Sequence, residues 1–199
     1  MKTYKIVKKP SLLNWDFIPV ADIDMQLQKN EVDISATAQI CYDAEALYVR
    51  LTAKEANIRA EGNGPLDAPC EDSCLEFFFS PVEGDNRYFN IEYNPNCCIY
   101  LGIATCLKDL VRLLPEFGVP FEPEAKRTSD GWEITYQVPF EFIRRFFPEF
   151  SATSGTKMKG NFFKCGDLTV EEHYLCWNEI TSDPVSFHRT CDFGILEFE

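Results

Sequence analysis

The sequence predicts an all-β fold: an antiparallel β-sandwich with immunoglobulin-like or jelly-roll-like layers and one or two short helices. Three observations predict it. Short apolar–polar alternations recur along the 199 residues, separated by turns rich in Gly, Pro, Asn and Asp. Aromatic residues make up 14% of the chain, led by seventeen Phe, a composition suited to packed sheet faces. Long helical patterns do not interleave the strands, which argues against a parallel α/β sheet. The length fits one domain over residues 1–199, and 45% apolar content is enough for a substantial core.

Taken in order, Ile34 to Tyr42 alternates, with Ile34, Ala36, Ala38, Ile40 and Tyr42 on one face. Asp43-Ala44-Glu45 turns the chain, and Leu47, Val49, Leu51 and Ala53 then point one way, making a hairpin with one buried face. Glu55 to Glu71 reads as a loop because Gly62, Gly64, Pro65 and Pro69 suit no strand interior. Cys74 to Ser80 is an apolar strand with Leu75, Phe77 and Phe79 inward and Glu76 opposite them. After a turn at Glu83 to Asn86, Arg87 to Asn94 places Phe89, Ile91 and Tyr93 inward and Asn90, Glu92 and Asn94 outward. Cys98 to Thr105 is the next strand. Leu107, Leu110, Val111 and Leu114 have helical spacing that Pro115 stops, and Pro115 to Asp130 reads as a loop. Trp132, Ile134, Tyr136 and Val138 alternate, Pro139 opens a short helix to Phe147, and Ser151 to Gly155 is a break. Lys157 to Cys165, Glu172 to Glu179 and Cys191 to Phe198 complete a set of about ten strands.

The formal charge of −13 and pI near 4.6 exclude nucleic acid as a natural partner and disfavour anionic membranes, because both require a basic surface. No stretch has the apolar length of a membrane span, and the first residues carry no signal-peptide core. Nine cysteines without a dense framework read as reduced, mostly buried thiols, so a cytoplasmic location is expected.

Cys165 to Gly194 concentrates scarce side chains: both histidines, His173 and His188, and one of three tryptophans, Trp177. Five phrases in order resemble the family 9 carbohydrate-binding modules. They are YDAEALYVRL from Tyr42, EDSCLEFFFSP from Glu71, YFNIEYNPN from Tyr88, GWEITYQVPFEFI from Gly131, and FKCGDLTVEEHYLCWNEI from Phe163 with SFHRTCDFGILEF from Ser186. The resemblance implies an antiparallel β-sandwich that binds sugar, aromatic rings clamping a terminal residue and polar groups on one face taking its hydroxyls. It implies that Trp177 is one clamping ring and Glu76 the acidic ligand-face residue. It also implies structural calcium, for which Asp67, Glu71 and Asp72 are the loop carboxylates that could cluster. The chain departs from the family between Gly62 and Glu71, where no aromatic supplies the second ring.

The residues fit that chemistry, since a pyranose offers an apolar C–H face to a ring and hydroxyls to carboxylates, amides and guanidinium groups. Were Glu172 to Glu179 extended, His173, Leu175 and Trp177 would share a face. The expected ligand contacts are Trp177, His173, His188, Glu76, Glu92, Asn94 and Arg127, with Arg144 as a further loop candidate; the expected partner is a mono- or oligosaccharide. Two other classes stay open: a glycan-active hydrolase using Glu76 and Glu92, and a protein-interaction module marked by an apolar patch around Trp177. His173-x-x-Cys176 and His188-x-x-Cys191 have zinc-like spacing, but an extended strand turns His173 and Cys176 to opposite faces.

Overall fold

The computed structural model describes residues 1–28, 31–114 and 121–199. Fourteen strands and one α-helix are found among them. The strands are β1 (Thr3–Lys8), β2 (Ala21–Ile23), β3 (Met25–Gln26), β4 (Ser35–Tyr42), β5 (Ala46–Lys54), β6 (Cys74–Ser80) and β7 (Tyr88–Tyr93). They continue with β8 (Ile99–Ala104), β9 (Val111–Arg112), β10 (Glu124–Arg127), β11 (Gly131–Pro139), β12 (Lys157–Gly166), β13 (His173–Cys176) and β14 (Gly194–Phe198). The helix, α1, spans Phe140–Phe146.

The strands run in the order β10-β11-β5-β4-β1-β14-β12-β6-β7-β8-β9 around a curled, two-layered sheet. The expectation of a purely antiparallel sandwich is corrected at β1. Its first residues pair parallel with β14 and its last pair parallel with β4, so one short strand stitches the two layers together. Every other pairing described is antiparallel. The β1–β14 pair joins the two chain ends, a contact that no local pattern announces.

The core lies between the layers. Leu47, Val49 and Leu51 of β5 and Ile134, Tyr136 and Val138 of β11 face Leu75, Phe77 and Phe79 of β6. Phe77 stacks on Phe79 and on Phe162 with centroids 4.7 and 5.0 Å apart. Helix α1 begins at Pro139, whose fixed φ of −61° suits a helix entry, and buries Phe140 and Ile143. Arg144 and Arg145 sit in its last turn, where the carbonyl ends favour a cation.

Two expected elements differ. The helix expected from Leu107 is a 3-10 turn, Leu107–Asp109, followed by β9. Asp109 accepts from the Thr105 and Cys106 backbone N–H groups, closing the turn, and Val111 then pairs with Ile103. The loop expected over 115–130 contains β10, an edge strand on β11; residues 115–120 of that stretch lie outside the described residues. Among the described residues no helix is long and apolar enough to cross a membrane.

Candidate functional site

Because side chains alternate, the residues of β6, β7 and β12 that do not enter the core form an outer face. Register places Glu76 beside both Glu92 and Phe163, Phe78 beside Asn90 and Asn161, and Cys74 opposite Cys165. Part of this face is an apolar cluster of Phe78, Tyr88, Phe163 and Phe193, covered by Ile180 and Phe187. Beside it opens a cavity of about 370 Å³. Glu76, Glu92 and Cys165 line it from the sheet, Asp167 and Tyr174 from the β12–β13 hairpin, and Phe187 and His188 from the segment after β13. Its size lies within the range of small-molecule sites, about 300–1,000 Å³.

Phe187 stacks on Phe163 with centroids 4.0 Å apart and planes 7° from parallel. Tyr174 meets Phe187 edge-on at 6.2 Å. His188 Nδ1 lies 2.8 Å from the Tyr88 hydroxyl. Burial pulls His188 down to about 4, so the ring is neutral at pH 7. With the tyrosine O–H donating to Nδ1, the neutral ring carries its proton on Nε2 and offers a donor.

Burial favours the neutral forms of both carboxyls. Burial pushes Glu92 up to about 7, against the pull of the Arg112 guanidinium. Arg112 stacks on Tyr100 at 4.6 Å and donates to the Leu66 and Asp67 carbonyls. Burial, and next the charge of Glu92, raise Glu76 well above the usual carboxylate range. The Cys165 thiol donates to Glu76 Oε1 at 2.9 Å. Glu76 Oε2 is buried without a protein partner, and so are both amide atoms of Asn90. Unpaired buried polar atoms are costly, about 1–3 kcal/mol each; Glu76 lines the cavity, so its free oxygen is one that a ligand there can pair.

Comparison with known proteins bears on what that ligand is. The family model described as carbohydrate-binding family 9 matches residues 7–198. The chain belongs to this family.

Solved structures agree on the fold. A candidate carbohydrate-binding protein from Bacteroides uniformis superposes with a TM-score of 0.85 at 24% identity, covering 100% of this chain and 99% of its own. A family 9 module from Caldicellulosiruptor kristjanssonii in complex with glucose gives 0.71 at 12% identity, with 100% and 96% covered. The complex of a family 9 module from that organism with cellotriose also gives 0.71 at 12%, covering 100% and 94%. No curated protein sequence matches the chain.

The family 9 fold sorts the expected contacts. Glu76, Glu92 and His188 converge on the cavity. Trp177 does not: it is 4% exposed, its ring packs on Phe162 at 5.5 Å, and a β-carbon on Gly194 would collide with the indole. His173, Leu175 and Trp177 do share a face, but it is the inner one, leaving Tyr174 at the cavity. Trp177 itself therefore offers no surface to a protein-docking face.

The remaining expected contacts lie away from this cavity. Asn94 is buried and saturated: its amide donates to Gly62 O and Asp72 Oδ2, and its carbonyl accepts from the Asn96 and Cys98 N–H groups. Arg127 is exposed on edge strand β10 and lines a separate cavity with Lys54 and Asp130. The Arg144 guanidinium lies over Phe140 and Phe150 at 5.7 and 5.9 Å, stabilising the α1 end. Of the loop carboxylates, Asp72 and Asp67 are already engaged by donors of the chain. Asp72 is taken by Arg59, by the Glu61 and Gly62 N–H groups and by Asn94, while Asp67 accepts from Asn63 and Gly64. The zinc-like spacing also fails, since Cys191 is exposed while His173 and Cys176 are buried.

His173 belongs to a buried polar network on the inner face. Lys164 Nζ, wholly buried, lies 2.7 Å from His173 Nε2 and 3.2 Å from Glu55 Oε1. Glu55 also accepts from Trp132 Nε1 at 2.7 Å and Ser73 Oγ at 2.9 Å. Burial, aided by the Lys164 charge, pulls His173 down to about 4. Between 6.5 and about 4 the unfolded chain therefore binds protons that native His173 and His188 refuse. Their contribution is complete above 6.5 and lost as pH falls through about 4. Urea unfolding midpoints should drop across that window, and His173→Gln should flatten part of the slope; an unchanged slope would contradict the buried neutral ring.

Proposed function

We propose that this family 9 domain binds the end of a saccharide, without catalysis, in the outer-face cavity between the β12–β13 hairpin and the segment carrying Phe187 and His188. The carrying observation is the convergence on one cavity of an aromatic pair, Phe187 and Tyr174, with polar groups that include the partnerless Glu76 Oε2. Phe187 supplies the apolar platform in place of Trp177. Glu92 and Asp167 present carboxyls to hydroxyls, and His188 presents its free ring N–H. A hydroxyl is both donor and acceptor, so it can pair with a carboxyl in either protonation state.

A hydrolase would need carboxyls on opposite sides of the scissile bond. Glu76 and Glu92 instead rise side by side from adjacent strands, which favours binding over turnover.

Calorimetric titration of the native protein with glucose and cellotriose should give saturable binding. Phe187→Ala and Glu92→Ala should each weaken it about 10- to 100-fold, the loss expected for a hydrogen bond to a charged group or a stacked ring. Arg127→Ala should leave it unchanged. Affinity untouched by both cavity variants would contradict the assignment.

A further inference from the structure

The floor of the cavity carries a second constellation. Cys74 and Glu76 stand two residues apart on β6 and so point the same way, and Cys165 of β12 lies directly opposite Cys74. Their two sulfurs and one carboxylate oxygen all lie within 4.8 Å of one another, and all three residues are buried. No other such group of His, Cys, Asp and Glu occurs among the described residues. We propose that Cys74, Glu76 and Cys165 form a binding site for one thiophilic divalent ion, with zinc the ion that fits.

Two thiolates and a carboxylate suit borderline-soft zinc rather than calcium or magnesium, which take oxygen ligands. Zinc–sulfur bonds of about 2.3 Å and zinc–oxygen bonds of about 2.0–2.2 Å put tetrahedral ligand atoms about 3.3–3.8 Å apart. Cys165 Sγ and Glu76 Oε1, now 2.9 Å apart, would open slightly around the ion. Glu76 and Cys165 also line the cavity, so a fourth position faces it and stays open to water. The site explains an otherwise costly arrangement: a buried carboxyl with one orphaned oxygen set among buried thiols. On binding, each thiol and the Glu76 carboxyl lose their protons to solvent, and the two sulfurs and one carboxylate oxygen donate lone pairs to the metal, with no change of oxidation state.

The test uses the full chain, kept reduced with a phosphine, stripped of metal by a chelator, and free of sugar. Titration with Co²⁺ should reach one ion per chain with thiolate-to-cobalt charge-transfer absorption, and Zn²⁺ should displace it. A Cys106→Ser/Cys191→Ser variant, lacking the two exposed thiols, should bind equally. Cys165→Ser should weaken zinc more than about 100-fold, beyond the usual cost of losing a supporting partner. Absence of the charge-transfer band in the native protein, or undiminished affinity in a folded Cys165→Ser, would overturn the proposal. The native cobalt spectrum decides the case should Cys165→Ser fail to fold. A null sugar titration would leave the metal result standing, and the reverse.

Discussion

Lys164→Ala should destabilise the fold by about 3–5 kcal/mol, the cost of leaving one member of a buried ion pair without its partner. The ammonium is wholly buried on the inner face and holds Glu55 Oε1 at 3.2 Å, His173 Nε2 at 2.7 Å and its neighbour's carbonyl, Cys165 O, at 3.0 Å. Without it, the Glu55 carboxylate keeps only the Trp132 indole and the Ser73 hydroxyl as donors. For a chain of this size each kcal/mol moves the melting temperature by about 2–4 °C, so a fall of about 6–20 °C is expected. A Glu55→Gln/Lys164→Met pair, which removes both charges and preserves volume, should recover much of that loss. Equal destabilisation by the single and double variants would mean that packing, not the unpaired charge, carries the effect.

Trp177→Ala should cost a similar amount, about 3–5 kcal/mol, by opening a cavity in the core. The ring is wedged between Phe162 and Gly194, and its backbone N–H donates to Phe162 O at 3.0 Å. A surface sugar platform would behave in the opposite way: its loss would abolish binding and leave the melting temperature alone. Trp177→Phe separates the two roles without unfolding the chain. It should lower thermal stability and leave affinity for glucose and cellotriose intact. Loss of sugar binding at an unchanged melting temperature would restore the indole to the binding site.

Much of the fold was legible because period-two patterns fix both a strand and its faces. The hairpin of β4 and β5, the strand β6 and the proline-initiated α1 stand close to where alternation and turn residues place them. Glu76 and Glu92 lie on the outer face because Phe77 and Ile91 leave them nowhere else to point. The run from His173 to Trp177 was harder, because Tyr174 and Trp177 put an aromatic on each face and a shift of one residue exchanges the faces. Leu175 was the marker: it is buried in the main core, so His173 and Trp177 go inward with it. Lys164, flanked by Phe163 and Cys165, pairs with Leu75 and Leu175 and turns inward, a direction that a charged side chain does not announce. Phe187 carried no periodic signal at all. Its place against Phe163 is purely tertiary. The strands β2, β3, β9 and β10 are short, and the partners of β1 and β3 lie far along the chain, beyond the reach of local pattern.

The location of the sugar site is tested most directly by amide nuclear magnetic resonance of the isotope-labelled native protein titrated with glucose. Progressive shifts should cluster at the backbone amides of Asp167, Tyr174, Phe187 and His188 and at those of Glu76 and Glu92. Shifts confined to the β10 edge around Arg127, or none at saturating glucose, would contradict an outer-face cavity as the place where the saccharide docks.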